Sequence, residues 1–172
     1  SCGHFVIIGG LMAWLLADYA TERVKKEWLP QALGGEAVIS LALTEPGAGS
    51  DAINVQLKAD RDGDEYVLNG EKTSITNGYV CDAAIVFTRT NPAPGAGSVT
   101  AFLVPMDLPG IERTRFNDLG HRGIARGSLF FDNVRIPADH VLSGEGQGFY
   151  QVMKGFDFSR VLLGIMCLGS AI

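Results

Sequence analysis

A chain of 172 residues, 47% hydrophobic and 19% charged, has the size of one globular domain or two small units, with enough apolar residues to bury a core. Its net charge of -5, with 14 basic residues scattered rather than striped, leaves no footprint for a nucleic-acid backbone. Cys2, Cys81 and Cys167 lie far apart, with no CxxC and no paired histidines, which fits neither a zinc site nor a disulfide framework and points to a reducing, cytosol-like compartment.

The run 5-FVIIGGLMAWLLA-17 is thirteen residues long, short of the roughly 18 needed to cross a bilayer, and it lacks the basic start of a signal peptide. A buried helix is expected there, with Phe5, Ile8, Leu11, Met12, Leu15 and Leu16 on one broad face. A second helix follows, with Thr21 as its N-cap, Glu22 and Lys26 paired four apart, and Val24, Trp28, Leu29 and Leu33 as its apolar stripe. Leu33-Gly34-Gly35 ends it. The chain opens at Ser1 and stops at Ile172 inside an apolar run, which reads as the middle of a longer protein.

From about residue 36 the apolar period changes from 3.6 toward 2. After the run 37-AVISLAL-43, residues 53–70 alternate on both sides of an Asp62-Gly63 turn and predict a hairpin. Further strands are expected at 83–90, 99–105, 111–116 and 127–136, separated by Pro/Gly-rich turns at 92-PAPGAG-97 and 109-PG-110. Such short, evenly spaced strands predict an antiparallel sandwich or small barrel. Beyond Pro137, 144-GEGQG-148 leads into a helix from about Phe149. The order is helices, β unit, helix, an α+β chain without internal repeats.

Four short stretches carry candidate chemistry. In 44-TEPGAGSD-51, Pro46-Gly47 fits a type II turn, Gly49 removes a second side chain, and Ser50-Asp51 can open a helical turn. Several backbone N–H groups can then converge on a phosphate or a flavin edge; an ordinary connecting turn accounts for the pattern equally well. In 70-GEKTSITNG-78, Thr73, Ser74 and Thr76 cluster between glycines, a pattern that by itself favours a strand edge facing water. Asp157 and Arg160 stand three apart on a helix, the usual spacing of a surface ion pair. The GxGxG of 144–148 follows no strand of a βαβ unit, so a hinge is preferred to a dinucleotide loop. His4, His121 and His140 have no ligand spacing and are assigned no chemistry.

Taken together, 21-TERVKKEWLP-30, 43-LTEPGAGSD-51, 66-YVLNGEKTSITNG-78, 101-AFLVP-105 with 109-PGI-111, 128-SLFFDNVRIP-137 and 146-GQGF-149 resemble the acyl-CoA dehydrogenase family in order and spacing. TEPGAGSD followed by NGxKxxITNG is specific to that family and its near relatives. The resemblance implies residues 1–35 as the end of an N-terminal helical domain, 36–143 as a middle β domain and 144–172 as the start of a C-terminal helical bundle. It implies FAD held between the β domain and the bundle, with Leu41, Leu43 and Thr44 along the flavin pyrimidine ring. Gly49 and Ser50 would approach the FAD, Thr76 would stand near N5, and Ser74 would replace the usual aromatic residue at the flavin edge. Ser50, Asp157 and Arg160 would contact the acyl-CoA.

Two departures bear on the chemistry that the resemblance implies. Some members place a catalytic glutamate where this chain has Ser159, so the base is expected from a later helix outside these residues. In 120-GHRGIARG-127, Ile124 and Ala125 replace the family's serine or threonine pair. The implied function is α,β-dehydrogenation of an acyl-CoA thioester, with electrons passed to an electron-transfer flavoprotein or similar acceptor. A homo-oligomer, dimer or tetramer, in the cytoplasm or mitochondrial matrix is implied for the full-length protein. The alternatives are a flavin monooxygenase or oxidase of the same fold, and a non-catalytic relative.

Overall fold

The computed structural model describes residues 2–120 and 122–171. The expectations placed on His121, and on the side chains of Cys2, His4 and Phe5, lie outside the described residues. Helix α1 runs over Cys2–Tyr19, longer than its expected apolar stretch, and buries Leu11, Met12, Leu15 and Leu16. Helix α2 (Glu22–Gly34) starts where the sequence places it: Thr21 is extended and its hydroxyl accepts the Val24 N–H. Its ion pairs are Glu22 with Lys25 at 3.2 Å and Arg23 with Glu27 at 3.6 Å, in place of the expected Glu22–Lys26 pair. Neighbours three apart are as close on a helix as those four apart. Gly35 closes the helix in the left-handed region, and Leu33 leaves the apolar stripe, 71% exposed beside that end.

Seven strands form one curled sheet: β1 (Ile39–Ala42), β2 (Lys58–Asp62), β3 (Glu65–Ile75), β4 (Ala83–Arg89), β5 (Val99–Pro105), β6 (Ile111–Arg115) and β7 (Gly127–Pro137). The α+β class stands, but the sheet is mixed rather than wholly antiparallel. Strands β1 and β4 pair in parallel from Ile39↔Ala83 to Ala42↔Val86, and β2 touches the far end of β4 in the same sense. The β2–β3 hairpin lies between β1 and β4 in the chain and serves as the crossover that a parallel pair needs. Gly63, at φ 62, begins the hairpin turn at the expected place.

Strand β4 is buried on both faces, which explains why it reads as an unbroken apolar run. Ala83, Ile85 and Phe87 face a core built with α1, α2 and α3, whereas Ala84 and Val86 face a second core inside the curl of the sheet. Strand β5 divides in the same way, Ala101 and Leu103 against Phe102 and Val104.

Helix α3 (Gly148–Ala171) is clamped at its start. The Gly146 N–H donates to the Thr100 hydroxyl, and Gln151 donates from its side chain to the Leu142 carbonyl. A Cβ at Gly148 would stand 2.8 Å from Ala101 N, so only glycine lets the helix begin on β5. The Tyr66 hydroxyl donates to Glu145 in the hinge; burial first, and then that carboxylate, push the phenol up to about 12. His140 is buried, with Nδ1 on the Leu103 carbonyl, an architectural role. Cys81 and Cys167 are free thiols. Among the described residues, no helix is long and apolar enough to cross a membrane, and no cluster of three or more side chains can hold a metal ion.

Candidate functional site

The turn of TEPGAGSD is closed by two backbone hydrogen bonds of 3.1 Å between Glu45 and Ala48. Gly47 does not adopt the positive φ of a type II turn, so that expectation is corrected: with its backbone tied on both sides, the turn closes without a left-handed residue. Gly49 and Ser50 follow, exposed, and their N–H groups have no acceptor among the described residues. Asp51 then precedes a short 3-10 turn over Ala52–Asn54 and takes the Asn54 amide at 2.6 Å.

A buried ion pair anchors this turn, and the sequence reading missed it. Lys72 Nζ stands 2.7 Å from a Glu45 carboxylate oxygen and 3.1 Å from the Leu43 carbonyl. The same carboxylate accepts the backbone N–H groups of Gln56 at 2.6 Å and Leu57 at 2.9 Å. Burial pulls the Lys72 ammonium down to about 8, against the opposing pull of Glu45. Alternation along β3 held the missed signal, because Lys72 shares the inward period of Tyr66 and Leu68 and therefore needs a partner.

Among the described residues strand β1 pairs only with β4, and the Ala83 N–H donates to the Val38 carbonyl. Backbone polar groups of successive strand residues point to opposite sides, so those of Leu41 and Leu43 turn away from β4, toward the end of β3. There the Ser40 hydroxyl donates to the Thr76 carbonyl at 2.9 Å and the Thr73 N–H donates to the Thr44 carbonyl at 2.9 Å. Irregular pairing between Lys72 and Ile75, with Ser74 at φ 59 and Asn77 at φ 59, bends this end of β3 around the site.

Between the open edge of β1 and the end of β3 lies a cavity of about 300 Å³, covered by α1 and α3. It gathers Leu41, Leu43, Thr44, Ser74 and Thr76 of the sequence-derived residues, together with Ser159. It also takes Ile8, Leu11 and Met12 from α1 and Phe156 from α3, which a strand motif cannot announce. Among the described residues no Asp or Glu lines it, and the Ser159 hydroxyl is spent on the Phe156 carbonyl at 3.0 Å. Gly49 and Ser50 are not among its walls. Asp157 and Arg160 pair with each other at 2.6 Å on the exposed side of α3 and do not line it either. A larger groove of about 830 Å³ beyond the Glu45–Lys72 pair is open and rimmed by Glu71, Glu112 and Asp132. It lacks the smaller cavity's combination of hydroxyls and unpaired strand backbone, so the smaller one is the candidate site.

Residues 40–134 match the protein family described as acyl-CoA dehydrogenase, middle domain. The chain is 39% identical over 151 residues to mitochondrial isovaleryl-CoA dehydrogenase of Pongo abelii, covering 86% of this chain and 36% of that protein. Cyclohex-1-ene-1-carbonyl-CoA dehydrogenase of Geobacter metallireducens is 37% identical over 150 residues, at 86% and 40% coverage. The solved structure of glutaryl-coenzyme A dehydrogenase in complex with glutaryl-CoA superposes with a TM-score of 0.89 at 30% identity, over 93% of this chain and 41% of that one. The chain thus spans roughly two fifths of the length of the relatives it matches.

Proposed function

The chain belongs to the acyl-CoA dehydrogenase family, and from that premise we propose that it forms the flavin wall of an enzyme that dehydrogenates an acyl-CoA thioester to the 2,3-enoyl-CoA. The observation that carries this reading is the cavity at the open edge of β1. A flavin pyrimidine edge presents both hydrogen-bond donors and acceptors, and the unpaired carbonyl of Leu41 and N–H of Leu43 complement it. The residues present therefore fit FAD. When bound, FAD supplies an acceptor for a hydride.

The chain's own groups then take distinct tasks. Leu41, Leu43 and Thr44 offer backbone along the ring edge, and the Thr76 hydroxyl supplies one hydrogen bond at the cavity wall. Ser74 leaves room where a larger side chain would narrow that wall. Gly49 and Ser50, with bare and unbonded N–H groups outside the cavity, suit the polar remainder of the cofactor, and Ser50 also the thioester chain. Asp157 and Arg160, exposed on the first helix beyond the hinge, are proposed contacts for the CoA portion. The α-proton needs a carboxylate, and with none lining the cavity that base comes from outside these 172 residues. We assign residues 1–35 and 144–172 to helical units on either side of a β domain over 36–143, and the electrons to a separate acceptor of the electron-transfer flavoprotein type. Assembly as a homo-oligomer belongs to the same proposal.

The experiment is anaerobic mixing of the flavin-loaded full-length protein, which carries the base, with saturated acyl-CoA thioesters while visible flavin absorbance is followed. Bleaching is expected, and Thr76→Val should slow it by up to about tenfold, the worth of one hydrogen bond at roughly 0.5–1.5 kcal/mol. Purification without any flavin would overturn the reading in favour of a non-catalytic relative, and an oxygenated product formed when the mixing is repeated in air would favour a monooxygenase.

A further inference from the structure

We propose that the buried Glu45–Lys72 pair tunes the electron affinity of the bound flavin, with Lys72 as a positioning residue that turns the positive end of the pair toward the cavity. The inference rests on the flavin reading above. Contacts fix the order of the charges. Lys72 Nζ donates to the carbonyl of Leu43, a residue of the cavity wall. Glu45 does not line the cavity but the neighbouring groove, with Gln56 and Leu57, whose N–H groups hold its carboxylate. The positive end is therefore the nearer one.

Because the N–H and C=O of one strand residue point to the same side, the Leu43 N–H opens onto the edge that Lys72 occupies. The two side chains are 0% and 5% exposed, so solvent screens their field weakly. In the proposed reaction the acyl chain gives an α-proton to a base and a β-hydride to the flavin. A carbon–carbon double bond forms and the flavin takes two electrons. Negative charge then rests on the pyrimidine edge, where a nearby positive group favours the reduced form.

The test uses the double variant Glu45→Gln/Lys72→Met, which removes both charges and leaves no buried ion unpaired. Glu45→Gln/Lys72→Gln, which also removes both charges but keeps a donor for the Leu43 carbonyl, is the second variant. Flavin stoichiometry is read from absorbance, and the reduction equilibrium is read against a reference dye. Both variants are expected to hold flavin and to shift the equilibrium about tenfold toward the oxidised form, which is about 30 mV for a two-electron couple. An unchanged equilibrium in a variant with full flavin overturns the inference and leaves the flavin reading intact. Loss of flavin from both variants overturns it too, by assigning the pair to folding alone. Absence of flavin from the wild-type protein overturns the functional reading with it.

Discussion

Replacing one member of the Glu45–Lys72 pair strands its partner in the interior, because Lys72 is fully buried and Glu45 nearly so. Glu45→Ala or Lys72→Ala alone should cost about 3–5 kcal/mol, whereas the charge-free double variant should cost clearly less than the two losses added together. Urea unfolding of the four proteins measures the difference. At this scale the sequence was partly legible. Leu43, Thr44, Ser74 and Thr76 were named through motif resemblance and do meet at one cavity, but Asp157 and Arg160 were named the same way and lie outside it. Lys72 was quoted within its motif without a role, since strand alternation gives a residue's side of the sheet and not its partner. Likewise, Pro46-Gly47 marked a turn correctly and its type wrongly.

Helix α3 depends on a backbone-to-backbone approach that a single methyl group would disturb. A Cβ at Gly148 would lie 2.8 Å from both Ala101 N and Thr100 C, so Gly148→Ala should destabilise by about 1–3 kcal/mol and lift the helix from β5. A thermal melt, with fluorescence of Trp14 as a local reporter on α1, checks this. Helix α2 is tied to the end of the sheet by Arg23, which grips the Asp139 carboxylate at 2.5 and 2.7 Å and holds that carboxyl below its ordinary value. Since the folded-state value is depressed, the contribution is full above the unfolded-state value of about 4 and is lost as pH falls below it. Arg23→Gln should therefore lower stability near neutrality and converge with the wild type in strong acid. Helices and strands were legible because their periods are local; the parallel β1–β4 pair was not, because a strand pattern is silent about neighbours more than forty positions away.

Over the whole molecule, burial is uneven. Strands β4 and β5 carry both cores, while α3 presents Val161, Ile165 and Leu168 to solvent at 62%, 61% and 63% exposure. Hydrogen exchange should be slowest in β4 and β5 and fast along the second half of α3. The 172 residues made alone should associate through that apolar face, and Ile165→Lys with Leu168→Lys should shift the sedimentation coefficient toward the monomer without loss of thermal stability. An α+β chain with helices on both sides of a β unit was foreseeable from the element order, whereas the mixed character of the sheet was not. Its curl, which sets β1 against the end of β3 and so creates the cavity, arises from tertiary pairing that no short window contains.

The inaccessible amine of Lys72 also makes the protein its own conformational reporter. Lys25, Lys26, Lys58 and Lys154 all reach solvent, whereas Lys72 is sealed between two strands and a turn. An amine-reactive acylating reagent should modify the first four in the native state and reach the last only when the β1–β3 junction opens. Peptide mass spectrometry of timed samples would then convert a silent interior charge into a clock for that opening, readable in crude mixtures and at concentrations where spectroscopy fails.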